Sequence, residues 1–329
     1  METLPHEKQI DELKKTIARL KEQNQHNPLF ASEIERLEEK LKQLKEEIYS
    51  QLSPWQRIQI CRHPGRPHTF DYIKNMCDNF QELSGDRAFR DDRSVIGGFA
   101  TIGKEKFMLI GQEKGSDTPS RIEHNFGMMH PEGYRKALRL MKLAEKFSLP
   151  VVSLIDTPGA FPGLESEERG VGWAIAENMK DMSRIQTPII VIIIGEGCSG
   201  GAIGIGVGDS VAMLQHAYYS VISPEGCASI LWKDPSKKVE ASSTLKIHAE
   251  NLLEFNVIDE IIIEPLGGAH HDTKAACQSV KGYILKEWDR LKKIRPDVLI
   301  EERYQKFRKL GKFYSQTDQK IAYLNETAL

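Results

Sequence analysis

Residues 195–209 read GEGCSGGAIGIGVGD, seven glycines in fifteen positions, directly after the apolar run PIIVIII. Glycine weakens the interior of any element, so it is kept where backbone bends sharply, packs closely or approaches a ligand. Spacing alone suggests two chemistries here. GEGCSG satisfies G-x-G-x-x-G after a strand, as a dinucleotide-binding turn does, but that turn also needs a full helix and an acid about 20 residues on. Gly204, Gly206 and Gly208 shorten the helix, and Glu225 comes thirty residues after Gly195. GCSGG satisfies G-x-S-x-G, and Asp259 and His270 follow Ser199 in the chain order of a nucleophile elbow. Ser199 is thus a candidate hydrolytic nucleophile, though a serine placed there also serves as a helix N-cap. Cys198 has nothing adjacent to lower its thiol pKa except the helix start, and reads as a small residue filling a tight turn.

A third chemistry needs no side chain. Gly200 and Gly201 open a short helix, where the first N–H groups have no intrahelical acceptor. Gly200, Gly204 and Gly208 lie four apart, a face that approaches a neighbour closely. Bare donors at a helix start stabilise an oxygen that gains negative charge, as an oxyanion hole does. DTPGAFPG, residues 156–163, supplies a second rigid loop at an equivalent strand end. No acid–base pair stands out, which suits a reaction passing through an enolate or similar anion. Other motifs fail on detail. DTPG resembles a GTPase switch segment, and GFATIGKE nearly forms a P-loop, but Glu105 stands where a magnesium-binding hydroxyl belongs. His270 and His271 in GGAHHD read as a solvated loop rather than a ligand pair.

These loops need a sheet to hold them. PVVSLID and PIIVIII are continuous apolar strands alternating with helices, the pattern of an α/β core covered on both faces. VIGGFATIG and KFMLIGQEKG read as a hairpin around Gly103. PEGYRKALRLMKLAEKF reads as a helix opened by Pro131, and SEERGVGWAIAENMKDMSRI as one further helix. Ile10, Leu13, Ile17 and Leu20, then Ile34, Leu37, Leu41, Leu44 and Ile48, step by three and four, giving two amphipathic helices over 7–52. Ser32 and Glu35 form a capping box for the second, after a break at Pro28. These helices are short, so they pack as a hairpin on their own domain or on a sister subunit. Residues 53–70 read as a Pro- and Arg-rich linker. The expected organisation is therefore an N-terminal hairpin and linker over 1–70 and a larger domain over 71–329. Charged helices over 273–294 and 298–310 close it, with a loosely held tail.

The 329 residues carry 45 Lys and Arg against 47 Asp and Glu, so no bulk charge draws the chain to nucleic acid or membrane. Residues 1–20 show no secretory signal, and Ile189–Ile194 is too short to span a bilayer. Five scattered cysteines give neither a disulfide framework nor a metal pair, which fits a reducing cytoplasm.

GDRAFRDDRSVIGGFA, FGMMHPEGYRKALRLMKLAEKF, IDTPGAFPG, EERG, GEGCSGGAIGIGVGD, YSVISPEGCASILWK and EPLGGAHHD resemble the α subunit of bacterial acetyl-CoA carboxylase carboxyltransferase. The resemblance spans about residues 5 to 310. It implies a crotonase (ClpP-like) fold of repeated ββα units. It implies transfer of a carboxyl group from carboxybiotin, held covalently on the biotin carboxyl carrier protein, to acetyl-CoA, giving malonyl-CoA for fatty acid synthesis. By the same resemblance Gly200 and Gly201 donate N–H bonds to the biotin ureido oxygen, and the freed biotin nitrogen serves as the base. Gly159, Ala160, Phe161 and Gly197 are implied to complete the carboxybiotin site. The family assembles as α2β2, works with biotin carboxylase in the full complex, and places its four-cysteine zinc motif and its acetyl-CoA enolate hole on the β subunit. No metal is therefore expected on this chain. Cys198, where the family usually has glycine, Gln112 and Glu113, where it more usually has His-Gln, and Val171, where Gln is common, depart from the pattern. The alternative is a serine hydrolase using Ser199.

Overall fold

A computed structural model describes residues 4–26 and 30–311. Helices α1 (Lys8–His26) and α2 (Ala31–Ser50) pack on each other, with Ile10, Ile17 and Ile34 buried. Ile10 joins Leu4, Tyr49, Leu52 and Ile60 in a small core, so the hairpin rests on its own chain. The expected Ser32–Glu35 capping box is not formed. The helix starts two residues earlier, with Phe30 at the cap position and the Phe30 N–H donating to Asn24 Oδ1 at 3.0 Å. The break expected at Pro28 lies outside the described residues.

Residues 53–70 are not a linker. Ser53 and Gln56 bond reciprocally and start α3 (Pro54–Cys61), whose Ile58 and Ile60 are fully buried. Arg66 beyond it is also buried. Its guanidinium donates twice to Glu264, at 2.7 and 3.0 Å, and once to the Ile194 carbonyl at 3.0 Å. A bidentate carboxylate lets an arginine-rich segment enter a core, and its composition therefore misleads. Helix α4 (Thr69–Met76) follows.

Strands β1 (Asn79–Glu82), β2 (Val95–Ile102) and β3 (Glu105–Gln112) run antiparallel, with Gly103 turning the expected hairpin at φ +64°. After α5 (Thr118–Glu123) and α6 (Pro131–Lys146) come β4 (Val151–Thr157), α7 (Leu164–Glu168), α8 (Val171–Met182) and β5 (Ile189–Cys198). One continuous helix was expected over 166–185, but Gly170, at φ +76°, breaks it into α7 and α8. The chain continues through α9 (Ser199–Ile203), β6 (Ser210–Leu214), β7 (Tyr218–Ser220), α10 (Pro224–Leu231), α11 (Lys238–Thr244), α12 (Ala249–Glu254) and β8 (Glu260–Ile262). Helices α13 (Thr273–Leu291) and α14 (Pro296–Arg308) close the described chain, near the expected bounds. The tail expected to be loose lies outside the described residues.

The sheet order is β1-β2-β3-β4-β5-β6-β8, and β3 onward is parallel. Its two faces are both covered. A Cβ on Gly97 would lie 2.3 Å from Leu140 of α6, and one on Gly111 would lie 2.6 Å from Thr69 of α4. Gly97 pairs with Ile110, the neighbour of Gly111, so α6 and α4 lie on opposite faces. Every residue of β4 and β5 is buried, as continuous apolar strands in a parallel sheet should be. β5 serves two neighbours in turn: Ile190–Ile193 pair with β6, and Glu196–Cys198 pair with β7.

Candidate active site

The two loops expected to carry chemistry leave the C-terminal ends of adjacent parallel strands, β4 and β5, where ligands gather in such sheets. The β4–β5 ladder is irregular between Ile155 and Thr157. Asp156 sits in this irregularity and accepts from the Glu196 N–H at 3.0 Å. Gly195 permits it, because a Cβ there would lie 2.3 Å from Asp156 Oδ1. Beyond β4, Thr157 Oγ1 accepts from the Gly159 N–H at 3.1 Å and donates to its carbonyl at 2.7 Å. The Phe161 N–H donates to the Met129 carbonyl at 3.1 Å, and its ring packs on His130.

Beyond β5 the chain turns through Ser199, at φ +53°, into α9. This left-handed conformation is uncommon outside glycine and marks a constrained turn. A Cβ on Gly201 would lie 2.5 Å from the Gly159 carbonyl carbon and 2.9 Å from the Ala160 nitrogen. The helix start and the 157–161 loop thus meet backbone to backbone. Gln112 ties them together: its Nε2 donates to the Gly201 carbonyl at 2.7 Å, and its Oε1 accepts from the Asp156 N–H at 3.1 Å. Gly200 is half-buried, with Ile175 3.0 Å from where its Cβ would stand. It borders an apolar groove of about 320 Å³ lined by Ser199, Ile203, Tyr219, Val221 and Val257. Gly197 lies on β5 between Thr157 and Tyr219. The structure therefore brings Gly159, Ala160, Gly200 and Gly201 together, with Gly197 on the strand between the loops and Phe161 at the far side of its loop. Gly208 is not on the helix face with Gly200 and Gly204, because α9 ends at Ile203. It packs instead against β5, where an added Cβ would lie 2.7 Å from Val191.

The triad reading does not survive the geometry. Asp259 accepts from the Val211 N–H at 2.7 Å, at the N-terminal end of β6, opposite the strand end that carries Ser199. His270 stacks on His63. Among the described residues no histidine or carboxylate bonds the Ser199 hydroxyl. The N-cap position falls on Cys198, not Ser199. Burial pushes the Cys198 thiol up to about 11, so it is not a thiolate at neutral pH.

Sequence reasoning missed a buried ion network beneath the loops. Lys114 Nζ lies 2.7 Å from Asp156 and 2.6 Å from Glu196. Arg62 reaches Glu196 and Glu225, each at 2.7 Å, and donates to the Tyr218 hydroxyl at 2.9 Å. His68 Nδ1 lies 2.8 Å from Asp156. Burial opposes ionisation of Glu196, but Lys114 and then Arg62 outweigh it and hold its pKa at about 2. Asp156 is held below the carboxylate range the same way, burial being overcome by Lys114 and His68. With Arg121, Phe126 and Pro158 the network lines a cavity of about 290 Å³. The one available signal was the basic run RHPGRPH at 62–68. Glu113 is structural: it accepts from the Phe70 and Gly115 N–H groups.

A sheet of this order with backbone-walled loops at adjacent strand ends defines a crotonase-like fold, shared with solved carboxyltransferases. A transcarboxylase 12S structure with hydrolysed methylmalonyl-coenzyme A bound superposes with a TM-score of 0.53 at 19% identity, over 68% of this chain. The chain spans only 44% of that protein. The chain belongs to the family described as acetyl co-enzyme A carboxylase carboxyltransferase-like, which matches residues 3–311. It is 61% identical over 313 residues to the acetyl-coenzyme A carboxylase carboxyl transferase subunit alpha of Protochlamydia amoebophila, covering 95% of this chain and 99% of that one. It is likewise 61% identical over 319 residues to the subunit of that name from Chlamydia pneumoniae, covering 97% and 98%. Its enzymatic role is that of a carboxyltransferase subunit.

Proposed function

We propose that this chain forms half of an active site that moves a carboxyl group from carboxybiotin on a separate carrier protein to acetyl-CoA, yielding malonyl-CoA, and that a β subunit supplies the other half. The observation that carries this reading is the backbone-to-backbone contact of Gly201 with Gly159 and Ala160, which no side chain would allow. Glycine at 200 and 201 puts no side chain over the first donors of α9. The bound cofactor supplies an activated carboxyl group. Gly200 and Gly201 donate their N–H groups to the oxygen that gains charge as that carboxyl group leaves. One such donor is worth roughly 3–4 kcal/mol in other enzymes. The Gln112 bridge fixes the distance between the loops, and Gly159, Ala160, Phe161 and Gly197 form the wall.

Reconstitution tests the reading. The purified chain and its candidate β subunit are assayed, separately and mixed, for malonyl-CoA-dependent carboxylation of free biotin, the reverse reaction. Activity is expected only in the mixture. Turnover by this chain alone would overturn the shared-site reading.

A further inference from the structure

The loop GGAHHD, expected to be solvated, is drawn against the N-terminal hairpin. Gly267 and Gly268, at φ +97° and +115°, turn it inward. His270 is 5% exposed, and neither ring nitrogen has a hydrogen-bond partner among the described residues. Its ring is held by stacking at 3.9 Å on His63 and by contact at 4.3 Å with His271. A buried polar atom left unpaired costs free energy and calls for an explanation. Glu7, buried at the start of the hairpin, supplies one. Its Oε1 lies 3.4 Å from His271 Nε2, and one ligand atom each from Glu7, His270 and His271 all fall within 4.8 Å of one another.

We propose that Glu7, His270 and His271 form a site for one transition-metal dication of the zinc class, which clamps the N-terminal hairpin to the body. Two imidazoles and a carboxylate are a zinc donor set, and tetrahedral bonds of that length put ligand atoms about 3.3 Å apart. The Glu7–His271 edge already has that length, and the others close by no more than about 1.5 Å. Outer partners are in place: the Tyr49 hydroxyl donates to Glu7 Oε1 at 2.6 Å, and the Leu4 N–H donates to Oε2 at 3.2 Å. The His271 side chain is a quarter exposed, which gives an entry path and room for a water as fourth ligand. The nearby Arg66 does not oppose the metal strongly, because Glu264 neutralises it.

Cobalt is the probe. The full-length, tag-free chain is stripped with chelator and titrated with Co²⁺, followed by calorimetry and visible absorption. One equivalent is expected to bind with the spectrum of nitrogen and oxygen ligands, and to raise the thermal midpoint. His271→Ala and Glu7→Gln should each weaken binding at least about tenfold and abolish the rise, with circular dichroism unchanged. His271 is partly exposed, so its variant decides the matter if Glu7→Gln fails to fold. No saturable binding, a sulfur-to-cobalt charge-transfer band, or unchanged affinity in His271→Ala would overturn the proposal.

Discussion

Lys114 shows what single residues contribute. Its ammonium bridges Asp156 and Glu196, and both carboxylates are buried. Removing it leaves Asp156 with His68 and Glu196 with Arg62, so the cost is part of the about 3–5 kcal/mol of a buried charge that loses its sole partner. Lys114→Met should therefore lower the urea-unfolding free energy by about 2–3 kcal/mol. A loss under about 1 kcal/mol would mean that water reaches these carboxylates and screens them. None of this was legible in the sequence. Lys114 and Glu196 stand 82 positions apart, Arg62 and Glu196 134 apart, and nothing local marks them as partners. The glycines were legible, since Gly200 and Gly201 sit at a strand end where only a backbone role makes sense. Their contact with Gly159 was not, because it depends on two loops meeting.

The elements divide along the same line. β4, β5, α6 and the β2–β3 hairpin follow from apolar runs, a proline at a helix start and a turn glycine. The segment over 53–70 does not, because Arg66 is buried by pairing with Glu264, and Arg57 and Arg62 are partly buried in pairs of their own. That burial has a pH signature. Burial, with Arg57 adding for His248 and Glu264 resisting for His216, holds both imidazoles down at about 4. Unfolded histidines titrate near 6.5, so as pH falls from 6.5 to 4 the unfolded chain takes up protons that the folded chain refuses. Stability is then lost across that window. Glu264 extends the loss: burial raises its pKa, but Arg66 and other partners overcome this and hold it at about 2, below the ordinary 4.5. Its contribution is present above pH 4.5 and disappears as the pH falls toward 2. Thermal midpoints should decline steadily below pH 6.5, and His248→Gln should flatten the upper part of the curve. A midpoint constant from pH 7 to 4 would contradict this account.

At the scale of the whole molecule, the sheet sets two loops side by side at the ends of adjacent parallel strands. The resemblance carried the fold class and the family correctly, and the bottom-up reading of a backbone site agreed with it. The hairpin packs on its own chain, one of the two alternatives expected; what neither reached was the contacts that seat it, by which Glu7, Tyr49 and Ile10 meet residues from Ile60 to His271. The central claim is that backbone at 200–201, and no side chain at 199, does the work. The most direct measurement is the biotin carboxylation rate, with the β subunit present, for wild type, Gly201→Val and Ser199→Ala. The account predicts a fall of at least about 100-fold for Gly201→Val, as when an oxyanion donor is lost, and near wild-type activity for Ser199→Ala. Loss of activity in Ser199→Ala with Gly201→Val still active would contradict it.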